Sequence, residues 1–237
     1  MNRTELSRRY AFFIVGLFVN SLGISFITKA DLGTSPISSI PYTLSIGFSP
    51  SLGLFTLYFS LLLIGIQLLI LRKQFPKPFW LQLPVSLGFS LFIDLSMALL
   101  SFLHPQTYPV QFLFLLLGCL VLGIGVFMEM AANVVMLPGE CTVKAISFTW
   151  HTDFGKTKIA LDSTMAVSAA LLGLLLYHSL AGVREGTFLS ALLVGFLARK
   201  INLFFGEALQ TRFASPGPLA LFRRWSKQTK GSFHSLR

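Results

Sequence analysis

Two short polar segments carry most of the side chains in this chain that can bind a solute. Residues 30–42 supply a carboxylate and several hydroxyls, and residues 132–141 supply an amide, a carboxylate and a thiol. Pro36 and Pro138 stand at equivalent places in the two segments, and proline is favoured at the first position of a helix because its missing N–H costs nothing there. Each segment is therefore predicted to be a short connection followed by a short helix. The candidate solute-binding residues are Asp31, Ser35, Ser38, Ser39, Tyr42, Asn133, Glu140 and Cys141.

The start of a helix attracts anions, because its first N–H groups are unpaired and the aligned peptide dipoles leave about half a positive charge there. Ser35 precedes Pro36 and is the predicted N-cap of the first short helix. Two such starts inside the protein can hold an anionic or carboxylate-bearing solute. Two arrangements stay open: the short helices re-enter the protein, or they lie on opposite membrane faces.

Charged residues within apolar segments are the second set of candidates, because an ionised side chain near the centre of a membrane helix costs about 2.5 to 3.5 kcal/mol. Counted along the segments, Lys29 and Asp94 fall at similar depths, and so do Glu129 and the pair Arg199 and Lys200. The hypothesis is that two ion pairs of reversed polarity gate transport, with either acid taking up a proton when unpaired. The alternative is a static tie between helices, or basic side chains that extend to the interface.

Other kinds of chemistry have little support. The sequence contains no P-loop, no G-x-S-x-G and no H-E-x-x-H. Its four histidines are scattered, and Cys119 and Cys141 have no histidine at ligand spacing. The chain is predicted not to be an enzyme and to have no catalytic residues, metal or cofactor.

Composition predicts a membrane protein. Hydrophobic residues make up 54% of the 237, charged residues make up 12%, and the mean hydropathy is +0.72. The pI near 10.0 does not indicate nucleic acid, because the basic residues lie beside apolar segments, where positive charge marks cytoplasmic loops. The lipid bilayer is therefore the first expected partner.

Six apolar segments are long enough to cross about 30 Å of hydrocarbon as helices. Basic residues precede the first, join the second to the third and the fourth to the fifth, and follow the sixth, so both termini are predicted to be cytoplasmic. The predicted spans are 10–29, 52–71, 80–103, 108–130, 157–178 and 187–206.

The segment 16–60 repeats at a constant offset of 102 residues, which aligns Gly23 with Gly125 and Asp31 with Asn133. Because each unit then has three spans, an odd number, the second unit is predicted to be inverted in the membrane, as in many secondary transporters. The predicted fold is an all-α membrane protein of two inverted three-helix repeats, each with a short polar helix after its first span. The predicted divisions are a cytoplasmic N-terminus at 1–9, repeats at 10–103 and 104–206, and a basic amphipathic cytoplasmic tail at 207–237.

The tail sets Leu219, Phe222 and Trp225 among basic residues. It is expected to anchor on anionic lipid, with a partner-binding helix as the alternative.

The element K-A-D-L-G-T-S-P at 29–36 and the later stretch 186–195 resemble the YczE/YitT-like family of uncharacterised bacterial integral membrane proteins. The likeness extends over about residues 10–205 and leaves the tail out. It implies a multi-span protein of the bacterial inner membrane, often described only as a membrane protein or a permease, with no agreed substrate or catalytic residues. The second copy has Asn133 and Val135 in place of Asp31 and Gly33, which argues against two identical half-sites.

The leading hypothesis is a secondary transporter or permease for a small solute, working without ATP between the two repeats. The alternative is a membrane scaffold or regulator that transports nothing and acts through its cytoplasmic loops and tail. A homo-oligomer is compatible with either hypothesis.

Overall fold

The computed structural model describes residues 3–72, 75–180 and 182–212, and the regular elements in these ranges are all helices. The predicted tail from residue 213 onward lies outside the described residues. The helices are α1 (Arg3–Lys29), α2 (Pro36–Gly47), α3 (Leu52–Leu71), a 3₁₀ helix (Lys77–Leu81), α4 (Gln82–Leu99), α5 (Tyr108–Ala132), α6 (Pro138–Trp150), α7 (Phe154–Tyr177) and α8 (Glu185–Arg212).

Six of these helices, α1, α3, α4, α5, α7 and α8, are long and apolar enough to cross a membrane. The prediction of an all-α protein with six spans is confirmed, and the chain is a multi-pass membrane protein. Large apolar side chains stay exposed on the spans, for example Leu69 on α3, Leu175 on α7 and Phe204 on α8. Such surfaces are expected to contact lipid.

The two short helices begin where the prolines predicted. Pro36 and Pro138 are the first residues of α2 and α6. Ser35 has the extended backbone of an N-cap, but its side chain makes no capping hydrogen bond.

The second span of each unit has a working cap at equivalent positions. The Ser51 hydroxyl accepts from the Leu54 N–H at 3.1 Å, and the Asp153 carboxylate accepts from the Lys156 N–H at 3.0 Å. Asp153 is 102 residues after Ser51, and Lys156 is 102 residues after Leu54. The repeat thus sets where α3 and α7 begin, because each cap satisfies an N–H that the helix itself leaves free.

The α1–α5 interface is built on close backbone contact. A Cβ placed on Gly23 would lie 2.5 Å from the backbone nitrogen of Leu122, and one placed on Gly125 would lie 2.5 Å from that of Asn20. Only glycine permits this approach, which is the usual means by which membrane helices pack tightly.

The contacts along this interface come in pairs that the repeat relates. If a residue of α1 contacts a residue of α5, the two equivalent residues, 102 positions away, are also in contact. A Cβ on Gly16 would lie 2.8 Å from Met128 Cβ, and a Cβ on Gly118 would lie 3.0 Å from Phe26 Cβ. Early residues of α1 meet late residues of α5, so the two helices are antiparallel. This is the arrangement that an inverted repeat requires of its first spans.

Contacts between the other helices follow the same exchange. The short helix α2 packs on α7, and α6 packs on α3, so each short helix lies against the second span of the other unit. The third span of each unit packs on the first span of the same unit, α4 on α1 and α8 on α5. Inversion of the two complete units across a bilayer stays a prediction that these contacts support.

Replacing Gly23 by alanine is expected to destabilise the protein, because the new methyl group meets the Leu122 backbone and forces α1 and α5 apart. Overpacking of this kind costs about 1 to 3 kcal/mol. The measurement is thermal unfolding in detergent. Gly65→Ala in α3 is the matched control, since nothing lies within 4 Å of a Cβ there. Equal melting temperatures for the two variants would contradict the close interface.

Candidate functional site

The starts of the two short helices meet. Ile37 is the second residue of α2, Gly139 is the second residue of α6, and the two are equivalent in the repeat. The Ile37 side chain occupies the space that a side chain at position 139 would take, with Ile37 Cγ1 3.1 Å from a Cβ placed there. Both short helices lie between α3 and α7, so the two positive helix ends converge between the two units.

The first short helix buries a hydroxyl-rich face. Ser38, Ser39 and Thr43 are buried, and the Ser35 hydroxyl donates to the Ser38 hydroxyl at 3.0 Å. Ser39 also reaches the Met165 carbonyl, half-way along α7, at 3.4 Å. These contacts favour the re-entrant arrangement, because a helix lying on a membrane face would leave such hydroxyls to the interface.

The second short helix is held by a pair of buried amides that the sequence reasoning missed. Gln67 of α3 donates from Nε2 to the Pro138 carbonyl at 3.0 Å and to the Thr142 hydroxyl at 3.1 Å. Gln82 of α4 donates in turn to Gln67 Oε1 at 3.1 Å. The signal was available, since an amide within an apolar span needs a partner. The glutamines tie the first turn of α6 to the opposite unit.

The loop before α2 is fixed by the start of α8. The Gly186 N–H donates to the Leu32 carbonyl at 2.8 Å, and the Thr34 N–H donates to the Thr187 hydroxyl at 3.2 Å. Gly33 has a φ of 106°, and Thr187 fills the place of its missing side chain. The two stretches that carry the family resemblance, 29–36 and 186–195, are therefore in direct contact.

Asp31 and Asn133 have a conformational role. Both residues have a left-handed backbone conformation, with φ of 57° and 52°, just after the ends of α1 and α5. Aspartate and asparagine tolerate this conformation better than other side-chain-bearing residues, which explains their equivalence in the repeat. Asp31 is exposed, and its carbonyl accepts from Arg184 Nη1 at 2.7 Å. The pKa of half-buried Tyr42 is raised, mainly by burial and also by the charge of Asp31.

On α6 the two candidate side chains separate. Glu140 is half-buried, and burial raises the pKa of its carboxyl, with Lys158 and Lys144 acting in the opposite direction and Asp162 reinforcing the rise. Lys158 and Asp162 form an ion pair of 2.8 Å on α7. Glu140 is the acid nearest to the meeting helix starts in sequence, three residues from Leu137 and one from Gly139.

Cys141 faces a small apolar cluster. Its thiol is buried with Leu71, Phe79 and Ala145, and Sγ donates to the Met136 carbonyl at 3.7 Å. The helix turns this position toward α3 and the 3₁₀ helix, and contact of Cys141 with a solute stays a prediction. Burial raises the pKa of the thiol, with Lys144 acting in the opposite direction.

The predicted ion pair of Lys29 with Asp94 is not formed. Asp94 Oδ1 accepts from the Gly53 N–H at 2.8 Å, and Oδ2 accepts from the Ser51 hydroxyl at 2.7 Å. The carboxylate therefore serves the start of α3, where free N–H groups are closer partners than a lysine on another helix.

Glu129 is also not paired with the basic residues of α8. It is buried at 8% exposure, and Oε1 accepts from Asn20 Nδ2 at 2.8 Å. Arg199 and Lys200 are exposed, and the Lys200 ammonium lies 5.6 Å from the Phe196 ring centroid. The pairing prediction is wrong because Glu129 points into the α1–α5 interface, while the basic residues point out of the bundle.

Arg9 is a further functional candidate whose place the sequence did not reveal. Its side chain is 2% exposed, Nη1 donates to the Ala132 carbonyl at 3.2 Å, and Nη2 lies 3.1 Å from Glu5. Sequence reasoning used Arg9 only as an orientation signal. In the structure it ties α1 to the last carbonyl of α5, beside the connection that leads to α6.

Comparisons with known proteins agree with the fold. The family model described as "Family of unknown function (DUF6198)" matches residues 7–203. The "Uncharacterized membrane protein YczE" of Bacillus subtilis (strain 168) is 25% identical over 198 residues, covering 83% of this chain and 86% of the relative. No solved structure matches the chain. The predicted resemblance to the YczE-like proteins is confirmed.

A double-mutant cycle with Asp94→Ala and Lys29→Ala separates the cap from an ion pair. Asp94→Ala is expected to lower the free energy of unfolding by about 1 kcal/mol, the usual cost of a lost helix cap, because Gly53 and Ser51 lose their acceptor. Lys29→Ala is expected to change it by less than about 0.5 kcal/mol. Denaturant unfolding in detergent should show additive effects. A coupling energy above about 0.5 kcal/mol would restore the ion pair.

Proposed function

We propose that this chain, which belongs to the DUF6198 family, is a secondary transporter or permease for a small anionic or carboxylate-bearing solute. The observation that carries the proposal is the meeting of two helix starts at Ile37 and Gly139. Each start belongs to a short helix held by the opposite unit, by Gln67 for α6 and by α7 for α2. A polar interior shared by two units is typical of transporters built from repeats.

The solute is proposed to lie beside the two helix starts. Because Pro36 and Pro138 have no N–H, the first N–H groups at these ends belong to Ile37 and Gly139, and they have no partner within their helices. Ser35 and Ser38 add hydroxyls on the α2 side. Together these groups offer hydrogen bonds and partial positive charge, which suits a carboxylate.

Glu140 gives the site a dependence on protons. Glu140 directly follows Gly139 in the sequence. When its carboxyl is ionised, its negative charge disfavours binding of an anion there. When protonated, it becomes a donor and removes the repulsion. Because burial raises its pKa, the protonated form is reached at a higher pH than for an exposed glutamate.

Glu129 is proposed as the coupling acid. It is the buried acid of the α1–α5 interface, and its hydrogen bond from Asn20 joins the two units. Loss of a charge there changes the interaction between the helices that any alternating movement must displace. Asp94 does not share this role because its carboxylate caps α3.

The basic residues beside the spans support the inner membrane of a bacterium as the location, with both termini in the cytoplasm. Binding of the tail to anionic lipid, and assembly into a homo-oligomer, belong to the same proposal. The scaffold alternative acts through the cytoplasmic loops and the tail, of which residues 213–237 lie outside the described residues.

The test of the proposal has two steps. A panel of small carboxylates is first screened for compounds that raise the melting temperature of the protein, and the uptake of those compounds into liposomes that contain the protein is then measured. Ser38→Ala is expected to weaken binding by about fivefold to tenfold, the effect of one lost hydrogen bond of about 1 kcal/mol. Ser45→Ala, near the other end of α2, is the matched control, because Ser45 only donates to the Tyr42 carbonyl. With an imposed pH gradient, Glu129→Gln is expected to abolish uptake against the solute gradient.

If no carboxylate shifts the melting temperature and no uptake occurs, the scaffold alternative replaces the transporter. Equal losses in Ser38→Ala and Ser45→Ala would instead locate the effect in the stability of α2.

Binding of the same solute is expected to tighten as pH falls through the raised pKa of Glu140, since protonation removes the repulsion. Glu140→Gln should bind as tightly at high pH as the natural chain does at low pH. Calorimetric titration between pH 5 and 9 measures this. Glu185→Gln, which alters an exposed acid paired with Arg184, should keep the natural pH dependence. An unchanged dependence in Glu140→Gln would place Glu140 away from the solute.

A further inference from the structure

The second and third spans pack closely in the first unit, and this packing has no counterpart among the described residues of the second. In the first unit α3 packs on α4, where Gln67 is hydrogen-bonded to Gln82 and Asp94 is bonded to the start of α3. At the positions equivalent to the α3 glutamine and this aspartate, the second unit has Ala169 and Phe196, which cannot form such bonds. Instead α7 packs on α2 and α6, and α8 packs on α5 and α2.

The helices α7 and α8 each turn an apolar stripe out of the protein. They are consecutive spans, and α2 packs on both of them. The exposed positions on each helix recur every three or four residues, so they follow one face. The large exposed side chains on these two stripes are Val167 and Leu171 on α7 and Phe188, Leu192 and Phe196 on α8.

Three basic side chains lie on the same stripes, toward one side of the membrane. Lys156 is exposed in the first turn of α7, and Arg199 and Lys200 are exposed on α8. At 1.5 Å per residue, Lys156 lies about 31 Å from the end of α7 and Arg199 about 21 Å from the start of α8. Because consecutive spans cross in opposite directions, all three lie toward the side that the basic loops predict to be cytoplasmic.

These three cations have no acidic partner among the side chains that the structure describes. Asp153 is engaged as the cap of α7, and Asp162 is paired with Lys158 at 2.8 Å. The Lys200 ammonium lies 5.6 Å from the centroid of the Phe196 ring, which keeps it on the exposed stripe. The inner part of this face is therefore positively charged.

Extension of the basic side chains to the membrane surface is the simplest account of these charges. The two on α8, however, lie within the span, where an ionised side chain is costly unless it is paired. An anionic phospholipid offers a phosphate to the cations and acyl chains to the apolar stripes, and basic surfaces between membrane helices bind such head groups. A second copy of the chain fits less well, because a two-fold interface would set the cations of both copies against one another.

We propose that the exposed stripes of α7 and α8 bind an anionic phospholipid of the cytoplasmic leaflet. Its phosphate is held by Lys156, Arg199 and Lys200, and its acyl chains lie along Leu192 and Phe196. The site belongs to the described helices and is separate from the tail. It does not depend on the proposed transport function, because it is on the outer surface of the second unit.

The first measurement is lipid retention by the full chain in detergent, counted by native mass spectrometry with phosphatidylglycerol and phosphatidylcholine as the probes. The natural chain is expected to prefer phosphatidylglycerol at least tenfold. Arg199→Gln should reduce this preference about fivefold, the effect of one basic residue near a membrane surface. Arg8→Gln is the matched control, because it removes an exposed charge from α1, and it should change the preference less than twofold.

Three outcomes of this measurement overturn the proposal. One is the absence of a preference in the natural chain, and another is an equal loss in Arg199→Gln and Arg8→Gln, which indicates diffuse attraction to the surface. The third is a dimer of the chain that retains no lipid, which assigns the face to a second copy.

The second measurement locates the bound lipid. In a Cys119→Ala, Cys141→Ala background, a fluorophore on Leu192→Cys should be quenched at least fivefold more efficiently by phosphatidylglycerol with a nitroxide on its acyl chain than by phosphatidylcholine labelled in the same way. Leu175→Cys, near the opposite end of α7, is the matched control, because the two leucines are 75% and 76% exposed. Its fluorophore should be quenched equally by both lipids.

Equal quenching by the two lipids at position 192 overturns the proposal. Competition by glycerol phosphate at the concentration of the lipid also overturns it, because that compound has the charge of the head group without the acyl chains.

Discussion

The close approach of α1 and α5 is the constraint on which the rest of the arrangement depends. Glycines at four positions 102 residues apart in pairs let the two backbones touch, and the touching helices are antiparallel. Once the first spans are fixed in this way, each short helix is brought beside the second span of the other unit. The meeting of Ile37 with Gly139 is a consequence of this packing.

Burial of polar groups explains why the short helices are held by the opposite unit. A short helix with serines, threonines and a glutamate cannot satisfy all its polar groups alone, and unsatisfied groups are costly away from water. Partners come from across the interface: the glutamine pair for α6, and the carbonyl of Met165 for α2. The hydroxyl of Tyr177 adds a bond to the Thr43 carbonyl at 3.0 Å. These hydrogen bonds of the short helices therefore form only when the two units are assembled.

The charged residues show how far a linear pattern can mislead. Depth along a span put Lys29 beside Asp94 and Glu129 beside Arg199, but depth does not specify the direction in which a side chain points around its helix. Asp94 turns to the start of α3, and Glu129 turns to Asn20. A rotation of about 100° per residue decides the partner, and it is fixed only when helices pack.

The sequence by itself determined the six spans, the start of each short helix at a proline and the equivalence of residues 102 apart, because hydropathy, proline geometry and internal repetition are local or linear properties. The sequence also aligned Asp31 with Asn133, but the reason for this equivalence, a left-handed backbone at both positions, is seen only in the structure. Tertiary structure alone decided that the helix starts converge, that Cys141 faces α3, and that Gln67, Gln82 and Arg9 tie helices together. These outcomes depend on which helix faces lie opposite each other, and that is set by packing across more than a hundred residues of sequence rather than by any single segment.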